Sequence, residues 1–362
     1  MKKLNKVASL MMAAAICLSM TACSSQKAET ETPAESKEAA APEESKETEA
    51  AAPADDYHLV LRLSHVFAPG EQLTKTMDSI AANILEKTGG AIEIQTFPQS
   101  QLAVYKDGVE QVVRGADFIS VEDPSYLGDY VPDFNILAGP MLVNSYDEYE
   151  YLLETDAVKE MFAAAEEKGI KILNLDYIFG FRSLMTNKVI TKPEDLKGMK
   201  IRTPGSQLYV DTLNYMGATA TPMGFSETIS AVQQGVVDGL EGTIDAYATN
   251  GSAEVAKNMA LTRHLLGVCG AYISVDVWNK IPEQYQTIIQ DEFNKGAEEM
   301  VTFISENEAA TMEKLESEMG VSFNDVDTEA FQAAVAPIYE NMQGVTPGRY
   351  EEFKESIANM SK

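Results

Sequence analysis

The sequence has few cysteines and no means of forming a disulfide inside its globular part. Its three cysteines are Cys17, Cys23 and Cys269, and the first two stand in a leader-like N-terminal segment. Cys269 is therefore alone in the rest of the chain. The disulfide-stapled class of small secreted domains is excluded, and a packed hydrophobic core must supply the stability.

Catalytic and metal-binding signatures are also missing. The three histidines, His58, His65 and His264, are scattered, and there is no H-E-x-x-H motif, Cys-His cluster, G-x-S-x-G elbow or phosphate loop. We therefore predict a protein without a metal or cofactor that is not an enzyme. The alternative is a glycosidase, which needs two carboxylates at a fixed separation, and spacing along the chain does not exclude it.

Positive charge is scarce. The chain has 28 Lys and Arg against 56 Asp and Glu, a formal net charge of -28. The first 22 residues carry three lysines and residues 23–56 a net seven negative charges, which leaves a formal -24 on residues 57–362. Nucleic acid and anionic membrane surfaces are therefore excluded as electrostatic partners of this part.

The N-terminal segment has the pattern of an export signal. Lys2, Lys3 and Lys6 precede an apolar run at residues 7–19, which is too short to span a membrane as a helix of about 20 residues. The run ends in Met-Thr-Ala before Cys23, which resembles the lipobox of bacterial lipoproteins. We predict a signal peptide at 1–22 and lipidation of Cys23, with a secreted protein carrying an incidental cysteine as the alternative.

Residues 24–56 have no aromatic and no branched aliphatic side chain to bury. They are almost wholly Ala, Glu, Ser, Thr, Pro and Lys, so they cannot offset the entropy cost of ordering. Pro33, Pro42 and Pro53 interrupt the Glu-Ala stretches that could otherwise form a surface helix. We predict that residues 23–56 are a lipidated cysteine followed by a disordered acidic linker, which as a flexible chain would reach roughly 30 Å.

From residue 57 onward the pattern alternates between strand and helix. A strand at 59–63, a helix at 73–87, a strand at 91–97, a helix at 104–114 and a strand at 116–121 form a βαβαβ opening. This order is typical of an α/β layer with a mostly parallel sheet. The remaining length suffices for two α/β lobes, and we predict that the chain crosses between them near Gly180.

The central third places a cation where open α/β sheets bind ligands. Residues 199–202 read as a strand ended by Thr203, Pro204 and Gly205, so Arg202 lies at the carboxyl end of that strand. A guanidinium there can hold a carboxylate through two charge-assisted hydrogen bonds, and a following helix start would add positive potential. A surface ion pair is the alternative, and spacing alone does not decide between them.

Several short motifs in a fixed order resemble the DctP-type solute receptors of tripartite ATP-independent periplasmic (TRAP) transporters. Together they cover essentially the whole globular region. They lie at residues 89–94 (GGAIEI), 97–102 (FPQSQL), 180–182 (GFR), 195–204 (DLKGMKIRTP), 225–227 (FSE), 233–241 (QQGVVDGLE), 262–264 (TRH) and 278–283 (WNKIPE).

The resemblance implies a two-lobed periplasmic-binding-protein-like fold with a ligand cleft between the lobes and a long hinge-spanning helix after Pro282. Lobe I would comprise 57–179 and about 268–307, and lobe II 180–267 and about 308–362. The implied function is extracytoplasmic capture of a small organic acid by hinge closure and delivery to a TRAP-type membrane permease. A receptor for an ABC importer or for a sensor histidine kinase is the alternative.

The resemblance also implies site residues. Arg202 matches the family arginine that holds the substrate carboxylate, Arg182 matches a second arginine, and Phe225 matches an aromatic that packs on the ligand. Glu122 aligns with an acid that meets ligand hydroxyls, and His65 follows the first strand where that lobe should meet the ligand. The alternatives are a buried counter-ion for Arg182, core packing for Phe225 and a solvated loop carboxylate for Glu122.

One position departs from the family pattern. Many members have an asparagine against the ligand where this chain has Gly242. The glycine either leaves room for a bulkier ligand or lets Asp245 or Tyr247 reach the cleft. The identity of the acid therefore cannot be taken from members that carry the asparagine.

Overall fold

The computed structural model describes residues 57–360. The predicted signal peptide, the predicted lipidation site Cys23 and the predicted linker lie outside the described residues.

Nine strands form one sheet. They are β1 (Leu59–Ser64), β2 (Ile92–Phe97), β3 (Phe118–Glu122), β4 (Ile170–Thr186), β5 (Lys200–Thr203), β6 (Thr219–Pro222), β7 (Gly239–Gly242), β8 (Asn258–Ser274) and β9 (Ser322–Asn324).

Helices surround the sheet. The α-helices are α1 (Gln72–Lys87), α2 (Tyr105–Val113), α3 (Phe134–Leu137), α4 (Tyr146–Leu153), α5 (Asp156–Glu167), α6 (Gln207–Tyr215), α7 (Thr228–Gln233), α8 (Ile244–Thr249), α9 (Ser252–Val255), α10 (Val275–Trp278), α11 (Glu283–Ser317), α12 (Thr328–Val335), α13 (Pro337–Asn341) and α14 (Arg349–Met360). Three 3-10 helices lie at Pro124–Leu127, Pro193–Leu196 and Phe225–Glu227.

The sheet order is β2-β1-β3-β8-β4-β7-β5-β6, with β9 beside β8. The two ends of this order are parallel, as the βαβ pattern predicts: β1 pairs with β2 and β3, and β5 pairs with β6 and β7. The centre is antiparallel, because β8 pairs with β3 and β4, and β4 with β7. The prediction of a mostly parallel sheet therefore holds for each lobe and fails at the centre, where β4 and β8 run through both lobes.

Alternation of apolar and polar residues explains how the first lobe packs. In β1 the side chains of Leu61 and Leu63 are fully buried, while Arg62 between them is exposed. Met77 and Ile84 of α1 join the same core cluster. Burying a side chain of this size contributes about 1.5–3 kcal/mol, so such clusters can stabilise the lobe without a disulfide.

The second lobe repeats this logic around β5 and β7. Ile201 of β5 packs with Leu208 and Leu213 of α6 in one core cluster, and Leu240 of β7 packs with Tyr247 of α8 in another. Two apolar layers thus hold β5 and β7 in place, with their carboxyl ends directed to the centre of the molecule.

The predicted long helix is α11, which has 35 residues. Its Ile289 and Ile304 belong to a first-lobe cluster, whereas Leu315 belongs to a second-lobe cluster. Gly180 of β4 stands opposite Gly267 of β8 and has φ +110°, which favours glycine. The α/β class and the long helix that spans both lobes are confirmed, and the crossing between the lobes near Gly180 stays a prediction.

The packing of the last helix bears on the predicted lobe boundaries. The last helix, α14, packs Phe353 into a cluster with Tyr149 of α4, although residues 308–362 were assigned to lobe II. The lobe boundaries stay a prediction, and they have to be consistent with this contact between α14 and α4.

Within residues 57–360, no helix combines the length and the apolarity that crossing a membrane requires. The same part of the chain holds no group of three or more His, Cys, Asp or Glu that could bind a metal ion.

Candidate ligand-binding site

A cavity of about 630 Å³ lies between the two lobes, at the carboxyl ends of β3 and β5. Tyr105, Glu122 and Tyr126 line it from the first lobe, and Arg202 and Phe225 from the second. Five of the predicted site residues thus come together here, namely Arg202, Arg182, Phe225, Glu122 and Gly242.

Arg202 is buried without a carboxylate partner. Its side chain is 2% exposed, and its Nε and Nη2 donate to the Met223 carbonyl at 3.3 and 2.9 Å. Its guanidinium carbon lies 5.4 Å from the centre of the Phe225 ring. Among the ion pairs of residues 57–360 none involves Arg202. A buried charge in this situation is costly unless an anion compensates it, which the cavity would allow a ligand to do.

Arg182 differs because Glu241 neutralises it. The Arg182 Nε donates to Glu241 Oε2 at 2.5 Å and its Nη2 to Oε1 at 2.8 Å. Burial acts to raise the pKa of Glu241, but the charge and hydrogen bonds of Arg182 outweigh it and hold that pKa below its usual value. Arg182 therefore has a buried counter-ion, which is the alternative that the sequence left open for this residue. Its guanidinium also lies 5.2 Å from the centre of the Tyr209 ring.

Two consecutive acids lie at the carboxyl end of β3, where they line the cavity. Glu122 accepts a hydrogen bond from the Tyr105 backbone N–H at 2.5 Å, and burial raises its pKa to about 8. Asp123 accepts from the Ser125 N–H at 2.8 Å, and burial also raises its pKa. Glu122 is therefore protonated at neutral pH and can donate as well as accept a hydrogen bond.

Two hydrogen bonds cross the cavity from one lobe to the other. The Tyr209 hydroxyl of α6 donates to Asp123 Oδ2 at 2.5 Å. The backbone N–H of Phe225 donates to the Tyr105 hydroxyl at 3.2 Å. The lobes are thus held together at the edges of the cavity by groups that also line it.

The structure shows what occupies the space beside Gly242. A Cβ on this glycine would meet the Tyr247 ring at 3.6 to 3.9 Å. Two backbone carbonyls, at 3.0 and 3.3 Å, share the Tyr247 hydroxyl proton, which is therefore not free to donate to a ligand. Asp245 accepts from the Gln72 N–H at 3.3 Å and lines a separate cavity under α11.

His65 precedes two residues that line the cavity, Val66 and Phe67. It is fully buried, neither ring nitrogen has a hydrogen-bond partner, and it does not line the main cavity. Burial lowers its pKa to about 4, so the ring is neutral. Its neighbour Ser64 is also buried with an unpartnered hydroxyl.

Sequence reasoning missed the tyrosines and the second acid. Tyr105, Tyr126 and Tyr209 line the cavity, and Asp123 directly follows the predicted Glu122. The only sequence signal for Asp123 was its place after a strand of the first lobe. No periodicity marks the tyrosines, because their meeting depends on how the lobes approach each other.

A family profile described as "Bacterial extracellular solute-binding protein, family 7" (DctP) matches residues 63–344. This match covers most of the chain and contains every predicted cavity residue.

Solved structures of TRAP periplasmic solute-binding proteins have the same fold. One from Desulfovibrio salexigens, in complex with diglycerolphosphate, is 59% identical with a TM-score of 0.83 and covers 84% of this chain and 98% of its own. One from Fusobacterium nucleatum, with bound sn-glycerol-3-phosphate, is 42% identical with a TM-score of 0.82 and the same coverage. One from Actinobacillus succinogenes, with bound L-galactonate, is 32% identical with a TM-score of 0.79 and covers 83% and 99%.

Proposed function

The chain belongs to the DctP family of bacterial extracellular solute-binding proteins, and from this premise we propose which solute it captures and how. The family consists of binding proteins that work with TRAP permeases in transport, so this chain is an extracytoplasmic receptor for such a permease and not an enzyme. The family assignment favours this function over a receptor for an ABC importer or a sensor histidine kinase.

The proposed ligand is a small acid of a polyol, held through its acid group by Arg202. The observation that carries the proposal is a buried guanidinium that faces a cavity of about 630 Å³ and has no carboxylate partner in residues 57–360. Arg202 has N–H groups left after its bonds to Met223, and these can hold an acid group through charge-assisted hydrogen bonds. Phe225 packs on the guanidinium and fixes its direction.

The acid group has two candidates. A phosphate ester is the first, because the solved structures with diglycerolphosphate and sn-glycerol-3-phosphate are 59% and 42% identical to this chain. A sugar-acid carboxylate is the second, supported by the 32% identical structure with L-galactonate. In either case Glu122 and Asp123 are suited to the ligand hydroxyls, since carboxyl groups can accept their hydrogen bonds.

The proposed mechanism is closure of the two lobes on the ligand about β4, β8 and α11. The bonds from Tyr209 to Asp123 and from Phe225 to Tyr105 form only when the lobes approach, so they would stabilise the closed form. No bond of the ligand is made or broken. A ligand that bridges the lobes adds its own contacts to both and shifts the equilibrium toward closure.

We also propose that the receptor is anchored. Lipidation of Cys23 with two or three chains would hold it firmly at the membrane, and a linker of roughly 30 Å would keep it near the permease at high local concentration. A Cys23→Ala variant should bind ligand in solution with unchanged affinity but support uptake poorly in cells. Full uptake by an unanchored variant would refute the role of the anchor.

A melting screen tests the ligand proposal. The purified protein is heated with glycerol phosphates, sugar acids, dicarboxylates, keto acids and aromatic acids. A ligand at about 100 times its Kd should stabilise the protein by roughly 2.7 kcal/mol. We expect the phosphate esters or sugar acids to give the largest shift and to be recovered unchanged. Turnover of the ligand, or a shift only with aromatic or keto acids, would contradict the proposal.

A further inference from the structure

The cavity contains two arginines but only one unpaired positive charge. Glu241 holds Arg182 through two hydrogen bonds, and the side chains of this pair are 11% and 0% exposed. Arg202 donates to a neutral carbonyl, that of Met223. Of the two guanidinium groups, only that of Arg202 can therefore compensate a ligand charge.

The acids that line the cavity limit its net charge. Glu122, Asp123 and Glu241 stand against the two arginines, so the formal acids outnumber the formal cations. If Glu122 and Asp123 both keep their protons, the side chains that line the cavity carry a net charge of one positive unit. If either of the two acids ionises, this net positive charge vanishes. The cavity thus offers at most one positive charge to a ligand.

The other donors are uncharged. The Tyr126 side chain is 8% exposed, and its hydroxyl has no hydrogen-bond partner although it lines the cavity. The Tyr105 oxygen accepts from the Phe225 N–H, which leaves its own proton free to donate. A buried hydroxyl without a partner is destabilising, and a ligand oxygen between these two tyrosines and Arg202 would satisfy it.

We propose that the cleft selects a singly charged anion and that its phosphate ligand is therefore a diester of a polyol, held by Arg202 and by the hydroxyls of Tyr105 and Tyr126. This inference rests on the proposed function and specifies its ligand class. A phosphate diester carries one negative charge, which Arg202 can compensate. A phosphate monoester carries close to two at pH 7, and the second would lie in a cavity with no second unpaired cation. The ligand of the 59% identical structure, diglycerolphosphate, has this diester chemistry.

The groups around the cavity are suited to a test by pH. Burial raises the pKa values of Tyr105, Tyr126, Tyr209, Tyr247 and Cys269, so they stay uncharged between pH 5.5 and 7.5. Glu122, with a pKa of about 8, stays largely protonated, and the Arg182 and Glu241 pair stays ionised. Burial also raises the pKa of Asp123. A ratio of two dissociation constants measured at the same pH cancels those protein titrations that affect both ligands equally.

The experiment is calorimetry with the full chain and four ligands, glycerophosphoglycerol, sn-glycerol 3-phosphate, D-glycerate and L-galactonate, at pH 5.5, 6.5 and 7.5. The second pKa of a phosphate monoester is about 6, so its singly charged fraction falls about 25-fold from pH 5.5 to 7.5. We expect the ratio of the monoester Kd to the diester Kd to rise by that factor. A ratio that does not change with pH would overturn the proposal.

Two tyrosine variants test the uncharged donors. Tyr126→Phe should weaken the diester about tenfold, because it removes one hydrogen bond and keeps the ring. Tyr130→Phe, in the same segment but outside the cavity lining, should bind as the unchanged protein does. Equal diester affinity in both variants, with unliganded melting temperatures unchanged, would overturn the role of Tyr126.

The remaining outcomes separate this inference from the proposed function. Binding of D-glycerate or L-galactonate without binding of either phosphate ester would overturn the diester and leave the receptor for a polyol acid intact. Failure of all four compounds to bind would overturn the proposed function and the inference together.

Discussion

Replacing Glu122 by glutamine should change the pH dependence of stability in a direction that the burial of this carboxyl fixes. Burial raises the pKa of Glu122 from an ordinary 4.5 to about 8. Below pH 4.5 the carboxyl is protonated in both the folded and the unfolded chain. Between pH 4.5 and 8 only the unfolded chain ionises, so unfolding releases a proton and the free energy of unfolding falls as pH rises. Above about pH 8 this dependence ends.

The size of the change in the free energy of unfolding follows from the width of this pH range. Each pH unit inside it costs about 1.4 kcal/mol for one such group, so Glu122 should cost on the order of 2–3 kcal/mol more at pH 7.5 than at pH 5.5. Glutamine does not ionise, and its oxygen can still accept from the Tyr105 N–H. The Glu122→Gln variant should therefore gain on the order of 2–3 kcal/mol over the unchanged protein between these pH values.

The assay is urea unfolding of the ligand-free protein, followed by circular dichroism at pH 5.5 and 7.5. Glu316→Gln on the exposed face of α11 is the matched control, and it should follow the unchanged protein at both pH values. If the stability difference between Glu122→Gln and the unchanged protein is the same at pH 5.5 and 7.5, Glu122 has no raised pKa and the reasoning is refuted.

Three further changes probe the pair, the hinge and the contact between lobes. Glu241→Gln should destabilise the protein by about 3–5 kcal/mol in urea unfolding, because it leaves Arg182 buried and unpaired. A loss of stability below about 1 kcal/mol, as expected for a change at an exposed position, would contradict this. Gly267→Ala should cost about 1–3 kcal/mol by overpacking, since its Cβ would lie 2.6 Å from a backbone oxygen, and an unchanged melting temperature would speak against that geometry. Tyr209→Phe should weaken ligand binding about tenfold by removing the bond to Asp123, and calorimetry showing equal affinity would exclude a role in closure.

The sequence predicted the elements whose signals are local. The predictions of a strand at 59–63, a helix at 73–87 and a strand at 199–202 each depend on a few neighbouring residues, and the structure has these elements as β1, α1 and β5. The place of Arg202 at the carboxyl end of β5 could be predicted because parallel strands end at a common edge.

The parts that could not be predicted depend on contacts between distant segments. Arg182 meets Glu241 59 positions away, and Tyr209 meets Asp123 86 positions away. No spacing rule reaches over such distances, so the neutralised Arg182 could not be distinguished from the unpaired Arg202. The antiparallel centre of the sheet was missed for the same reason, since β4 and β8 pair residues as distant in the chain as Ile170 and Ser274.

The central claim is that Arg202 holds the acid group of the ligand, and calorimetry of Arg202→Gln tests it most directly. The best ligand from the melting screen is titrated into this variant, into Arg202→Lys and into a control, Arg62→Gln, at an exposed position of β1. Losing a buried charge partner costs about 2–5 kcal/mol, so the Kd of Arg202→Gln should rise at least about 30-fold. Arg202→Lys should recover only part of the affinity, because lysine keeps the charge without the fork of donors, and Arg62→Gln should bind normally. If Arg202→Gln folds and binds the ligand within about threefold of the control, the account of this site is wrong.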